Sequence, residues 1–374
     1  MRTHREVSAE RFLSRYDYSF PKKLIAQTPA VPRENARLLV YPVRNRTAEG
    51  AATTVSGRPV SSGVYRRSSD KVAFGTFSNI ARYLPPRAVL IFNRTKVIPA
   101  RLTLKKETGG KAHVLFLGIE ENTWKCLSDR KLTVGSRLSL GKSMYVMVRR
   151  QRDKYYFLKP SFPIQRTLKI LERFGKTPLP PYIKHSPLSE SKLREKYQTV
   201  FAKIAGSVAA PTASLHFSKT LLQKLRQAEV AVRFVTLHVN LGTFAPLTDE
   251  QLKRGALHSE LCEIDAPTAA FLNKARKEKR PIIAVGTTVV RTLESSCDAK
   301  GHMRPFHGAT DLFIREGYRF RFVDGIITNF HVPRSSLLML VSAFVGREKT
   351  LELYRLAVKK RFRLFSFGDG MLLL

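Results

Sequence analysis

Acidic residues are scarce in this chain of 374 residues: 29 Asp and Glu stand against 66 Lys and Arg, leaving a formal charge of +37. Such an excess goes far beyond what solubility requires, and unless it is spread evenly it points to a polyanionic partner held through phosphates. Charge does not choose between RNA and DNA. Cysteine is nearly missing as well: Cys126, Cys262 and Cys297 are odd in number and far apart, with no Cys-x-x-Cys pair, which excludes a zinc ribbon and a redox couple of the usual spacing. A reducing, cytoplasmic setting fits that usage. No run approaches the roughly 18 apolar residues that span a bilayer, and the opening MRTHREVSAERF has no apolar leader core. No membrane partner is expected. The longest apolar stretch, Leu337 to Val345, reads as a short buried helix.

What is present reads as an ordinary folded protein, with 43% hydrophobic residues and enough length for one large domain carrying a smaller one. Residues 42–70 are rich in Ser, Gly, Thr and Arg and poor in large apolar side chains, the composition of a flexible basic loop that includes Arg66 and Arg67. After a short helical stretch at Phe77 to Tyr83, apolar runs of about five residues follow at close spacing: AVLIF, HVLFLGI, TWKCL, SRLSL, MYVMV and YYFL. They predict a small β-barrel over residues 92–165. From Leu168 onward helices and strands alternate, with strands expected at Val230 to Val239, Ile282 to Val285, Asp311 to Ile314 and Phe320 to Phe330. The expected fold class is therefore α/β: a large layered domain, residues 1–91 and 166–374, interrupted by the inserted barrel.

Four segments have the composition of a pocket. GSVAAPTASLHF, Gly206 to Phe217, combines small residues that let a backbone approach a ligand with the Thr212 hydroxyl and the His216 imidazole; a tight packing corner would read the same way. VTLHVNLGTFAPL, Val235 to Leu247, delivers His238 from a strand to a loop holding Gly242 and Thr243, and LHSE follows with His258 and Glu260 on one side of an extended backbone. AVGTTVVRTLE, Ala284 to Glu294, is a strand, a tight Gly286 and a helix start that suits an anion, with Thr287 there and Arg291 one turn inside. VDGIITNFHVPRSS places Asp324, Asn329, His331 and Arg334 about a turn before an apolar helix. There is no GxGxxG, no GxSxG, and His302, His307 and His331 match no zinc spacing.

In this order, GSVAAPTASLHF, VTLHVNLGTF, LHSE, VGTTVVRTLE, TNFHVPRSSLLMLVSAF and the terminal RFRLFSFGDGMLLL resemble the S-adenosylmethionine:tRNA ribosyltransferase-isomerase family of queuosine biosynthesis. YDYSFPKKLIAQTPAVPRENARLLV, VLIFNRTKVIPARL, TGGKAHVLFL, TPLPPYI and YQTVFA extend the resemblance over nearly the whole chain. Lys96, Asn240, Ser214 and Leu257 depart from the family's usual Arg, Gly, Gly and Met without removing a titratable candidate. The resemblance implies an α/β domain interrupted by a β-barrel. It also implies an enzyme that transfers and isomerises the ribosyl group of S-adenosylmethionine, its co-substrate, onto 7-aminomethyl-7-deazaguanine in the tRNA anticodon. Epoxyqueuosine, adenine and methionine are the implied products; no metal and a monomer are expected.

That reaction needs one group to accept a proton beside the sulfonium and one to protonate departing adenine. His216 and His238 are the candidates, in either assignment, with Glu260 and Asp324 orienting ribose hydroxyls or the sulfonium. Thr212, Thr287 and Arg291 are expected to hold the methionine end. Lys96, Arg101, Lys105, Lys106 and Lys111 are expected to meet tRNA phosphates. A non-catalytic RNA-binding module and an S-adenosylmethionine methyltransferase are the competing readings; the first leaves the pocket segments without a use, and the second lacks a glycine-rich loop.

Overall fold

The structure, a computed structural model, describes residues 9–42, 72–141, 143–240 and 247–374. Apart from Pro42, the expected loop at 42–70 with Arg66 and Arg67 lies outside the described residues, as do Gly242 and Thr243.

Val89–Asn93 reads VLIFN, and every residue of it is buried. A strand covered on both faces carries such a continuous run instead of alternation. It is the fourth of nine strands in one sheet, with Ala231–Leu237 parallel on one side and Ile282–Val285 parallel on the other. Gly325–Asn329 lies parallel beside Ile282–Val285. Beyond these four, Ala256–Ile264 and Phe306–Leu312 close one side antiparallel, and Gly370–Leu373, Arg37–Tyr41 and Ala73–Thr76 complete the other. Alternate residues feed two cores: Val89, Ile91, Ile282, Ala284 and Ile326 face one, while Leu90, Phe92, Ile283, Val285 and Ile327 face the other. The helices Ala266–Lys277, Thr287–Ser296, Ser336–Val345 and Arg347–Lys359 cover the first face, and Lys219–Gln227 with the 3-10 turns of Phe77–Arg82 the second.

The insert is a closed barrel of six strands: Arg101–Lys106, Lys111–Glu120, Thr123–Ser128, Arg137–Ser139, Tyr145–Arg152 and Tyr155–Pro160. Leu102, Leu104, Val114, Trp124, Val146 and Val148 fill it, each from an alternate strand position. The α/β class with an inserted barrel is what the fold displays. The boundary at 92 needs correcting, because AVLIF is the central strand of the large sheet and the barrel begins at Arg101. Between them Thr95–Val97 pairs with Ile204–Ser207 in a separate two-stranded sheet.

The strand expected from Phe320 to Phe330 is also shorter, spanning Gly325–Asn329. A buried carboxylate explains why: Glu294 accepts hydrogen bonds from the backbone N–H groups of Arg321, Phe322 and Val323 at 2.9, 3.0 and 3.1 Å, and from the Tyr318 hydroxyl at 3.1 Å. Amides that answer to one side chain cannot also join a ladder. Glu294→Ala would leave those donors unpaired and should lower the unfolding free energy by about 3 kcal/mol, with Glu294→Gln losing less. Urea unfolding of both variants beside the parent checks this; equal midpoints would mean that the loop is held by other contacts.

Candidate active site

The site lies where parallel strands end. Asn93, fully buried, closes the central strand, and its side chain works as an extra stretch of backbone: Oδ1 accepts from the Leu237 N–H at 3.1 Å and Nδ2 donates to the Leu237 carbonyl at 2.9 Å. Oδ1 also accepts from the Thr95 N–H at 3.1 Å. The strand Ala231–Leu237 thereby runs on past the point where the main chain leaves for the barrel, and brings His238 beside Thr95.

Widely separated parts of the chain then meet around one narrow chamber. Ala210 to Ala213, Val239, Gly286 to Thr288, Thr328 to Val332 and Phe365 with Ser366 all line it. Thr212 and Thr287 are therefore together, as expected for residues that hold one ligand. Gly286 has φ +100° and begins the helix Thr287–Ser296 with no side-chain cap, so the helix start is open to an anion. Asn329 and His331 also line the chamber, although only their place on a turn marked them in the sequence. His331 Nε2 lies 2.8 Å from the Thr328 hydroxyl, and burial pushes its pKa down to about 3.

The two expected proton carriers sit differently. His216 is buried, stacks on Phe77 at 4.1 Å between ring centroids and does not line the chamber. Its Nε2 lies 3.2 Å from Asn329 Nδ2, and burial, helped by Arg363 and Arg33, pushes its pKa down to about 3. A ring so enclosed and so weakly basic suits a structural support better than proton transfer. His238 is half-buried and, like His216, is not among the residues that line the chamber, although Val239 beside it is; its Nδ1 lies 2.9 Å from Thr95 Oγ1, and its Nε2 has no partner among the described residues. Thr95 Oγ1 in turn has the Ile204 carbonyl at 3.5 Å, the arrangement in which Nδ1 carries the proton and Nε2 the lone pair. Desolvation lowers the His238 pKa, against a small opposing pull from Glu263. The ring lies on Gly206, φ +151°, where an added Cβ would come within 2.9 Å of it.

Glu260 and Arg291 are found together, buried as an ion pair. Arg291 also donates through Nε to the Leu312 carbonyl at 3.0 Å and through Nη2 to the Thr310 carbonyl at 3.3 Å, so its guanidinium is occupied by the protein. Glu260 Oε1 accepts from the Asn240 N–H at 2.8 Å, anchoring the backbone that follows His238. The pair lines a second recess with His258, which shares Leu337 with the chamber. The direct contact with a carboxylate expected of Arg291 thus meets a desolvated guanidinium that is already paired, which gains little by exchanging partners. Asp324 is not brought to the chamber. It precedes the strand that Asn329 ends, so it stands at the opposite edge of the sheet, accepting from the Ile282 N–H at 2.9 Å and from Arg276 at 3.1 Å.

Lys105 and Lys111 stand directly opposite each other on the barrel face, both exposed, and like charges so placed repel unless an anion lies between them. Lys106 donates to the Lys131 carbonyl at 3.2 Å and Arg101 to the Leu179 carbonyl at 3.0 Å. Lys96 is not on the barrel but on the short strand Thr95–Val97 beside it. No group of three or more His, Cys, Asp or Glu among the described residues is placed to hold a metal, and no described helix is long and apolar enough to cross a membrane.

His216 and His331 are neutral in the folded protein, whereas in the unfolded chain they titrate near 6.5. The unfolded state therefore binds more protons between about pH 3 and pH 6.5, and stability falls as pH drops through that window. Thermal unfolding from pH 7 to pH 4 should show the decline, and His216→Gln should make it shallower; equal slopes would contradict the burial argument.

The family described as Queuosine biosynthesis protein matches residues 13–373. The chain is 42% identical over 367 residues to the S-adenosylmethionine:tRNA ribosyltransferase-isomerase of Carboxydothermus hydrogenoformans, across 97% of this chain and 99% of that one. It is 40% identical over 364 residues to the protein of the same name from Aquifex aeolicus, with the same coverage. The crystal structure of an S-adenosylmethionine tRNA ribosyltransferase from Thermotoga maritima matches at a TM-score of 0.52 and 31% identity, over 96% of this chain and all of that one. On the family match and these relatives, the chain belongs to the S-adenosylmethionine:tRNA ribosyltransferase-isomerase family of enzymes in queuosine biosynthesis.

Proposed function

We propose that the chain transfers and isomerises the ribosyl group of S-adenosylmethionine onto 7-aminomethyl-7-deazaguanine at the wobble position of a tRNA anticodon, giving epoxyqueuosine and releasing adenine and methionine. The observation that carries this reading is the convergence of widely separated parts of the chain on one chamber at the carboxyl ends of parallel strands. Its walls fit the co-substrate: Ala210, Ala213, Val239 and Phe365 offer apolar surface to an adenosyl group, and the hydroxyls of Thr212, Thr287 and Thr288 gather at a helix start that suits a carboxylate. Bound there, S-adenosylmethionine would supply the ribosyl carbons, with adenine and methionine as leaving groups.

Within this reading His238 moves the proton. Its Nδ1 is held by Thr95, its Nε2 is left with a lone pair, and its lowered pKa keeps it neutral near pH 7. Glu260 and Arg291 hold the loop backbone after His238 and do not touch the co-substrate. Lys105, Lys111 and the nearby Arg101, Lys106 and Lys96 meet tRNA phosphates.

The test is to incubate the purified chain with S-adenosylmethionine and an anticodon stem-loop carrying the modified guanine. Mass spectrometry should find adenine, methionine and a ribosylated nucleoside together, and His238→Ala should slow their release by about a hundredfold or more. RNA binding without adenine release would favour a binding module, and S-adenosylhomocysteine as product a methyltransferase. On the RNA side, Lys105→Ala and Lys111→Ala should each weaken stem-loop binding and reduce the log-log salt slope by about 1; slopes equal to the parent's would place the RNA on the α/β domain instead.

A further inference from the structure

Asn329 closes the strand Gly325–Asn329 at the chamber wall and is 2% exposed. Three acceptors crowd one end of its carboxamide: the Phe365 carbonyl at 3.2 Å, the Asp369 carbonyl at 3.4 Å and His216 Nε2 at 3.2 Å, all on Nδ2. Two of these are backbone carbonyls, which never donate, so turning the amide over would set oxygen against oxygen. The orientation is thereby fixed. His216 must then present a lone pair at Nε2, in keeping with its neutral, enclosed ring.

This arrangement leaves Oδ1 at the other end of the amide, buried and with no hydrogen-bond partner among the described residues. Buried acceptors in folded proteins nearly always have a donor, and Asn329 is itself one of the residues that line the chamber. The same chamber contains the uncapped start of the helix Thr287–Ser296, with Gly286, Thr287 and Thr288 on its wall. Donors that suit a carboxylate on one side, and a fixed carbonyl acceptor on another, are the complement of an α-amino acid, which carries its carboxylate and ammonium on one carbon.

We infer that Asn329 Oδ1 accepts a hydrogen bond from the α-ammonium of the methionine end of S-adenosylmethionine, whose carboxylate lies at the start of the helix Thr287–Ser296. His216 is a positioning residue: by accepting from Nδ2 it fixes which way the amide is turned and leaves Oδ1 for the ligand. The inference rests on the reading given under Proposed function and adds to it the residue that distinguishes the amino-acid end.

Calorimetric titration of the full chain with S-adenosylmethionine and with analogues lacking the α-amino group, the adenine amino group or the ribose 2′-hydroxyl tests it. The desamino analogue should bind the parent protein about ten- to a hundredfold more weakly than S-adenosylmethionine, as expected for a hydrogen bond to a charged group. In Asn329→Ala that ratio should collapse to about one, while the ratios for the other two analogues persist. His216→Gln, whose amide oxygen can still accept from Asn329, should keep a KM for S-adenosylmethionine close to the parent's, whereas His216→Leu should raise it. If Asn329→Ala does not fold, the parent protein still decides, because equal binding of the desamino analogue overturns the inference. So does a ratio that survives in Asn329→Ala, a collapse seen instead with the 2′-deoxy or adenine analogue, or an unchanged KM in His216→Leu. Failure of S-adenosylmethionine itself to bind the parent would overturn the functional reading as well.

Discussion

The Asn93 side chain takes both the N–H and the carbonyl of Leu237, and most of the site's geometry follows from that substitution of side chain for backbone. The central strand has to end at Asn93, because the chain leaves there to build the barrel. The neighbouring strand has to continue, because it carries His238. A single carboxamide satisfies both demands and, through the Thr95 N–H, also fixes where the departing chain runs. Thr95 then holds the His238 ring from the departing side, so the path into the barrel and the position of the imidazole are set by one residue.

Electrostatics divides the molecule into two regimes. Inside, charges are few and fully engaged: Glu294 folds a loop around itself, and Glu260 with Arg291 braces the backbone after His238. Outside, the excess of cations is only partly neutralised. Arg150, Arg152 and Lys125 converge on Glu120 at one end of the barrel, while Lys105 and Lys111 face each other with no recorded ion pair among the described residues. The unpaired part of the charge is the part available to a phosphate backbone.

Much of this was legible before the fold was known. Short alternating runs marked the barrel, and the later alternation of helices and strands marked the layered domain, because both signals are local. The chamber's composition was legible too, in segments rich in Ala, Gly and Thr. What local reading missed was direction and partnership. Asp324 and Asn329 lie close in sequence, yet the strand between them carries them to opposite edges of the sheet. Arg291 looks like a ligand for anions until Glu260, 31 residues away, is seen on it. AVLIF has the length of a barrel strand, and only its unbroken apolar run, where alternation would suit a barrel, signals burial on both faces. His216 carries no mark of enclosure, since Phe77 reaches it from far along the chain.

Trp124 is the only tryptophan in the chain, and it lies fully buried in the barrel with Nε1 donating to Thr167 Oγ1 at 2.8 Å. That placement makes intrinsic indole emission a reporter of the insert alone, silent toward the nine-stranded sheet. Circular dichroism, by contrast, sums over both. Coincident transitions by the two signals would mean that barrel and sheet melt as one cooperative unit, and separated ones that the insert has a stability of its own.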